Sequence, residues 1–211
     1  GAGEESLTDI DFTVKKGETI GIIGGTGSGK SSVVNLIPRF YDVSKGSVSI
    51  DGKDVRDYDL TELRDKIGVV MQKAVLFQGT IAENLRWGKP DATDEELWKA
   101  IEVAQATDVV EGKEGKLDYM IEQGGRNLSG GQKQRLTIAR AVVKNPDILI
   151  LDDSATALDF ATDARLRAAL RNLKGNKTIF IVSQRTSSIQ FADKIIVMDD
   201  GQVAGIGTHE Q

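Results

Sequence analysis

Cysteine is absent from this chain of 211 residues, and histidine occurs once, as His209. The lack of cysteine excludes disulfide bonds, zinc sites built from thiolates, and cysteine nucleophiles. No apolar run approaches the roughly 20 residues that a membrane-spanning helix needs, and no secretory signal opens the sequence. Positive charge is also in deficit, with 27 lysines and arginines against 32 aspartates and glutamates. The net charge of −5 disfavours nucleic acid as a partner.

What is present is typical of a folded globular domain with one core. Apolar residues make up 39% of the chain and charged residues 28%, which excludes a mainly disordered protein. Glycine, with 23 residues, is somewhat enriched, and the surplus falls in two places, which indicates sites where the backbone approaches another group closely.

Short apolar runs predict strands that are buried on both faces, as in a parallel sheet covered by helices. The turn Asp199–Gly201 predicts a hairpin near the end of the chain, and therefore one antiparallel pair. A further, early strand is expected around Leu7–Val14. The apolar runs are Thr19–Ile23, Ile67–Met71, Ile148–Leu151, Thr178–Val182 and Ile195–Met198.

From about Ala74 to Lys144 the pattern is helical, and three capping boxes mark helix starts. The sequence thus predicts one α/β domain over residues 1–211, with a mainly parallel sheet and a small antiparallel portion. Its core would comprise residues 1–73 and 144–211, with a helical subdomain inserted at 74–143. Both ends of the chain look truncated. The capping boxes are Thr80 with Glu83, Thr93 with Glu96, and Ser129 with Gln132.

The segment Gly24–Ser31 matches the phosphate-binding loop G-x-x-x-x-G-K-[ST] between a predicted strand and a helix. Glycines allow backbone N–H groups to surround phosphate oxygens, and the helix adds its positive N-terminal end. Lys30 would reach the outer phosphates, and the Ser31 hydroxyl would bind Mg²⁺. The alternative is a glycine-rich turn without a ligand. The candidate nucleotide-binding residues are Gly24, Gly25, Thr26, Gly27, Ser28, Gly29, Lys30, Ser31 and Ser32.

Two adjacent aspartates end the apolar run Ile148–Leu151. We expect Asp152 to hold Mg²⁺ directly or through water, and Asp153 to face the attacking water. An acidic pair at this position can also be a solvated turn or a helix cap.

A second glycine cluster, Leu128–Gln132, precedes an amphipathic helix. Its simplest interpretation is a capped helix start, with Ser129 as the N-cap and Gln132 reaching back. Gly130 and Gly131 each cost about 1 kcal/mol of helix propensity, so a phosphate bound at this helix start would explain them better. Because Gly24–Ser31 already supplies one phosphate site, the second cluster is predicted to bind the nucleotide of another chain.

Taken together, residues 7–211 resemble the nucleotide-binding domain of an ATP-binding cassette (ABC) transporter. Gly24–Ser31, Ile148–Asp153 and Leu128–Gln132 resemble its Walker A, Walker B and signature motifs. The resemblance implies a P-loop NTPase core of the RecA type, ATP and Mg²⁺ as ligands, and a second nucleotide-binding domain as partner. It also implies that Gln72, in a segment similar to the Q-loop, binds Mg²⁺ and water, and that Ser154–Asp159 is the D-loop.

Leu76–Asn84 and Gln123–Asn127 resemble the exporter type of the family. This resemblance implies contact with the coupling helices of a transmembrane domain that is absent from this chain, and a cytoplasmic position in a cell-membrane transporter. Alternatively, Leu76, Phe77 and Ile81 are ordinary core residues.

Two positions depart from the family pattern. Asp153 stands where glutamate is usual, and Gln184 stands where histidine is usual in the switch loop. A carboxylate withdrawn by about 1 Å can slow a reaction about 100-fold, and glutamine has no cationic form. The pair resembles the degenerate site of a heterodimeric multidrug exporter, in which most hydrolysis occurs at the partner's site. A homodimer or an engineered change is the alternative.

A third departure is the lack of an adenine-stacking aromatic, since Phe12 is the only aromatic before Gly24. Two other functions stay open. An ABC-type ATPase of DNA repair or chromosome maintenance is disfavoured by the acidic charge and by the absence of heptads between Gln72 and Ser129. A regulatory cassette that binds ATP without hydrolysing it is favoured by Asp153 and Gln184.

Overall fold

The computed structural model describes residues 7–25, 28–153, 157–173 and 177–208. Thr26, Gly27, His209 and residues 154–156 of the expected D-loop lie outside this part. The strands are β1 (Thr19–Ile23), β2 (Ser49–Ile50), β3 (Lys53–Asp54), β4 (Ile67–Val70), β5 (Gly79–Thr80), β6 (Met120–Ile121), β7 (Ile148–Asp152), β8 (Thr178–Val182), β9 (Lys194–Asp199) and β10 (Gln202–Gly207). The helices are α1 (Lys30–Asn35), α2 (Leu60–Asp65), α3 (Ile81–Arg86), α4 (Asp94–Val103), α5 (Thr107–Glu111), α6 (Gly130–Val143), α7 (Phe160–Arg171) and α8 (Thr186–Ile189).

These residues divide into two compact units. The first comprises residues 1–67, 147–152 and 176–211, and the second comprises 68–146 and 153–175. The predicted helical subdomain at 74–143 lies within the second unit.

The main sheet has the strand order β10-β9-β1-β8-β7-β4. β1 runs parallel to β8 and β9, and β7 runs parallel to β8, whereas β10 is antiparallel to β9. All five residues of β8 are buried, as expected for a central strand of a sheet covered on both faces. The predicted α/β class and the hairpin at Asp199–Gly201 are confirmed.

The prediction of a strand around Leu7–Val14 is wrong, since none of these residues belongs to a strand. Asp9 has a φ of 52°, in the left-handed region, which interrupts an extended run. Isolated hydrogen bonds hold the segment in place of a strand ladder. One of them runs from the amide of Thr8 to the carbonyl of Gly201 (2.9 Å). Most residues of this segment, Phe12 among them, line a cavity of about 790 Å³.

The second unit is mostly helical, with the short antiparallel pair β5–β6. Two of the three predicted capping boxes are complete, at Thr93 with Glu96 and at Ser129 with Gln132. Thr80 accepts the amide N–H of Glu83 and caps α3. Within the described ranges, no helix of either unit is both long and apolar enough to cross a membrane.

Candidate functional site

Three neighbouring strands end at the same edge of the main sheet. β8 lies between β1 and β7, and Val182 at its end is in register with Ile22 and with Asp152. Because the three strands are parallel, the residues that follow them meet at one edge, where open α/β sheets bind ligands. The first unit therefore brings together the loop that starts at Gly24, the carboxylate of Asp152 and the segment with Gln184.

The loop after β1 is held by the turn between β9 and β10. The amide of Gly201 donates to the carbonyl of Ser28 at 2.9 Å, and a Cβ at Gly24 would lie 2.6 Å from the carbonyl oxygen of Met198. Gly29 has a φ of 91°, a conformation that favours glycine, and it is the N-cap of α1. The following residue, Lys30, is buried at the start of the helix.

The described part of this loop fits a phosphate group. A Cβ at Gly25 would meet no atom of the described residues within 4 Å, and Gly25 does not have a left-handed φ. The folded chain therefore does not itself require glycine at this position. The hydroxyl oxygen of Ser28 is buried and has no hydrogen-bond partner among the described residues. A buried polar atom without a partner is destabilising, so an oxygen-rich ligand would satisfy it.

Two oxygen atoms suited to Mg²⁺ lie next to each other at this edge. The Ser31 hydroxyl donates to Asp152 Oδ1 at 2.9 Å, and Asp152 is buried at the end of β7. Mg²⁺ prefers oxygen ligands and usually binds through one or two protein groups together with phosphates. Among the described residues, no group of three or more His, Cys, Asp or Glu side chains could hold a metal. The donor set therefore fits a cation that arrives with a phosphate ligand.

The three candidate catalytic residues occupy different surroundings. Asp153, in the second unit, is buried and has a φ of 49°, a left-handed conformation that aspartate adopts more readily than most residues. Gln184, in the first unit, is exposed, next to Ser183, whose hydroxyl accepts the amide of Arg185. Gln72 is exposed and lies in the second unit.

The turn Ser129–Gln132 begins α6 with a complete capping box. The Ser129 hydroxyl accepts the amide of Gln132 at 3.2 Å, and the Gln132 side chain accepts the amide of Ser129 at 3.0 Å. A Cβ at Gly131 would lie 3.0 Å from the carbonyl oxygen of Ala157, which is a tight approach. Among the described residues, a Cβ at Gly130 would meet the Cβ of Ala157 alone, at 3.9 Å. Packing therefore accounts for glycine at 131 but not at the exposed position 130.

The segment predicted to face coupling helices contains both core and surface residues. Leu76 and Ile81 are buried, whereas Phe77 is 42% exposed and stacks on Trp87, with ring centroids 4.8 Å apart. The guanidinium of Arg140 lies 5.9 Å from the centre of the Phe77 ring, and burial lowers the pKa of Arg140. The core interpretation is thus correct for Leu76 and Ile81, and Phe77 belongs to an exposed aromatic pair.

The loop that carries Phe77 is fixed by Asn84, which sequence reasoning did not single out. The buried Asn84 amide accepts the N–H of Phe77 and donates to the carbonyls of Phe77 and Thr80, at 2.8–3.1 Å. The contact between Gly201 and Ser28 was also missed. The sequence signal at Gly201 predicts a turn, but the position of that turn behind the loop depends on tertiary packing.

The family model for ABC transporters matches residues 7–156. An uncharacterised ABC transporter ATP-binding protein of Mycobacterium tuberculosis is 49% identical over 213 residues, covering 100% of this chain and 36% of that protein. The beta-(1→2)glucan export ATP-binding/permease protein NdvA of Rhodopseudomonas palustris is 47% identical over 206 residues, covering 98% of this chain and 34% of that protein.

A solved structure of a bacterial Atm1-family ABC exporter with ATP bound aligns with 100% of this chain and 37% of its own. Its TM-score is 0.95, and the two sequences are 36% identical. The chain thus spans about a third of the length of these relatives. Together, the family match over residues 7–156 and the two relatives show that this chain belongs to the ABC transporter family.

Proposed function

We propose that this chain is the domain of an ABC exporter that binds ATP and Mg²⁺ and powers transport across a membrane from its cytoplasmic side. The single observation that carries this proposal is the bond between the Ser31 hydroxyl and Asp152 Oδ1, at the start of α1 and the end of β7. This bond joins two sequence motifs that are 121 positions apart at one edge of the sheet. NdvA and the Atm1-family protein are both named as exporters, which supports the transport role.

Each residue of the loop has a separate part in holding ATP. The Lys30 ammonium would reach the outer phosphates, and the Ser28 hydroxyl, which has no partner among the described residues, would donate to a phosphate oxygen. Ser31 and Asp152 would hold Mg²⁺, with Gln72 as a further candidate ligand. Bound Mg²⁺ would offset the negative charge of the phosphates.

Binding is tested by replacing Lys30. In the full-length protein, Lys30→Ala should weaken Mg-ATP binding by at least about 100-fold, because it removes charge-assisted bonds to the phosphates. Isothermal titration calorimetry measures the affinity. Lys99→Ala is the matched control, since Lys99 is exposed and forms an ion pair with the exposed Glu95, at 3.4 Å. Equal ATP affinity in Lys30→Ala and the control would refute the assignment of the loop.

The second glycine cluster supports an arrangement of two such domains around ATP. No described residue packs closely enough to require glycine at 130, and the first turn of α6, which carries amide groups such as that of Gly130, begins at an exposed residue. A phosphate that approaches these amides explains the absence of a Cβ. Ser129, Gly130, Gly131 and Gln132 are therefore assigned to ATP held by a partner domain.

Asp153 and Gln184 support slow hydrolysis at this chain's own site. The Asp153 side chain is shorter than that of the usual glutamate by one methylene group. The Gln184 side chain cannot carry the positive charge that histidine can. We infer that the partner's site, completed by Ser129–Gln132 of this chain, performs most of the hydrolysis in a heterodimer. A regulatory cassette without hydrolysis is the second candidate, and it differs in predicting no turnover even after both residues are changed to the usual ones.

The exposed pair Phe77–Trp87 supports contact with a transmembrane domain. Trp87 is 68% exposed, and the loop that bears Phe77 is held rigidly by Asn84. Exposed, preorganised aromatic side chains are typical anchors of protein interfaces. The pair is therefore assigned to the coupling helices.

A further inference from the structure

Arg135, in the second turn of α6, joins two helices at their ends. Its Nε donates to the carbonyl of Gly131 at 3.2 Å, and its Nη1 donates to the carbonyl of Gln105 at 3.0 Å. The same Nη1 lies 3.3 Å from Asp108 Oδ1. The guanidinium thus connects the first turn of α6, where Gly130 lies, to the segment between α4 and α5.

The end of α4 is shaped to receive a cation. Gln105 has a φ of 61°, in the left-handed region that commonly ends helices. The amide of Ala106 donates back to the carbonyl of Ile101 at 2.9 Å, which closes the last turn of α4. The carbonyl of Gln105 lies at the negative end of the helix dipole, so a guanidinium is favoured there.

We propose that Arg135 is a positioning residue for the signature turn: it fixes the first turn of α6 against the end of α4, so that Gly130, next to the Ser129 cap, presents its amide in one orientation. This inference rests on the proposed role of Ser129–Gln132 at a partner's ATP. The capping box fixes the turn to its own helix, whereas only a contact outside the helix fixes where the turn lies in the unit. Misplacement of donor groups by about 1 Å can lower a rate about 100-fold.

The fork of the guanidinium is what makes arginine suitable here. Two different nitrogen atoms serve Gly131 and Gln105, and the planar group holds their directions fixed. Lysine keeps the charge near the end of α4 but has a single nitrogen on a flexible stem. The ion pair is secondary, because the Asp108 side chain is 77% exposed and exposed pairs contribute little.

The experiment uses the full-length protein assembled with its partner and measures thermal stability, the ATP affinity of this chain, and turnover at saturating ATP. Arg135→Lys should retain stability and the affinity of this chain's own loop, while turnover of the complex falls roughly 10-fold or more. Asp108→Asn should turn over within about 2-fold of the unmodified complex. Arg86→Ala is the stability control. The Arg86 guanidinium also donates to one carbonyl oxygen (Ala92) and one carboxylate (Asp94), but these bonds do not involve α6.

Normal turnover of the Arg135→Lys complex would overturn the inference. A fall in turnover that only matches the loss of stability, as expected for Arg86→Ala, would also overturn it. Gly130→Asp separates this failure from that of the proposed function, because it places a carboxylate where a phosphate would approach. An inactive Gly130→Asp complex together with a fully active Arg135→Lys complex would refute the role of Arg135 alone. Normal turnover with Gly130→Asp would refute the role of the signature turn itself, and the inference with it.

Discussion

Replacing Gly130 with alanine should make the domain more stable and the assembled transporter less active. A Cβ at this position would lie 3.9 Å from the Cβ of Ala157, which is ordinary van der Waals contact. Gly130 is in the first turn of α6, and alanine is favoured over glycine in helices by up to about 1 kcal/mol. We expect a gain of about 0.5–1 kcal/mol in the free energy of unfolding, and a rise in Tm of about 1–4 °C.

Activity should change in the opposite direction. The added methyl group would hold a phosphate away from the amides of the α6 turn, and losing one such donor lowers rates by about 100- to 1000-fold in other enzymes. Since the methyl displaces the phosphate without removing a donor, we expect turnover to fall about 10- to 100-fold. The ATP affinity of this chain's own loop should be unchanged.

Gly131→Ala provides the matched comparison. Its Cβ would lie 3.0 Å from the backbone oxygen of Ala157, so that carbonyl must give way by a few tenths of an ångström, and stability should fall by about 1 kcal/mol. Differential scanning calorimetry and a phosphate-release assay on the assembled protein measure both quantities. If Gly130→Ala raises Tm and turnover stays normal, no ligand approaches this turn. If Gly130→Ala lowers Tm as Gly131→Ala does, the packing argument is mistaken.

Three further outcomes are expected. Asp153→Glu with Gln184→His should raise ATP turnover of the assembled protein by about 10-fold or more, and unchanged phosphate release would count against a degenerate site. Trp87→Ala should change Tm little, because the ring is 68% exposed, but should reduce substrate-stimulated turnover in the full-length protein, and normal stimulation would exclude this surface as the coupling contact. The Arg56 guanidinium lowers the pKa of Asp54 from 3.8 to about 2, so the stabilisation from this pair is complete above pH 3.8 and is lost as pH falls through 2. An NMR titration of Asp54 with a midpoint near 3.8 would contradict this assignment.

Local features of the site could be predicted from the sequence because they depend on contiguous residues. The loop Gly24–Ser31 needs a strand, a turn and a helix in sequence order, and β1 and α1 provide them. The capping box at Ser129 involves residues three positions apart, and the structure has both of its bonds. The apolar run that predicted β8 is a local signal of the same kind. So is the turn Asp199–Gly201, which predicted the hairpin between β9 and β10.

Tertiary structure decided which distant groups meet. Ser31 and Asp152 lie 121 positions apart, and only the pairing of β7 with β8 and of β8 with β1 brings them within 2.9 Å. Leu76 and Phe77 are adjacent apolar residues with no local signal to separate them, yet packing buries the first and exposes the second.

The segment around Leu7–Val14 illustrates the same limit. Its alternation specifies which side chains face inward, but a strand also needs a neighbour with free backbone groups and a backbone that stays extended. Asp9, with a φ of 52°, does not stay extended. Arg135 likewise has an unremarkable place in an amphipathic helix, and its contact with the carbonyl of Gln105, 30 positions away, exists only because α4 ends beside α6. Sequence periodicity fixes the face of an element, whereas the meeting of two elements is a property of the packed core.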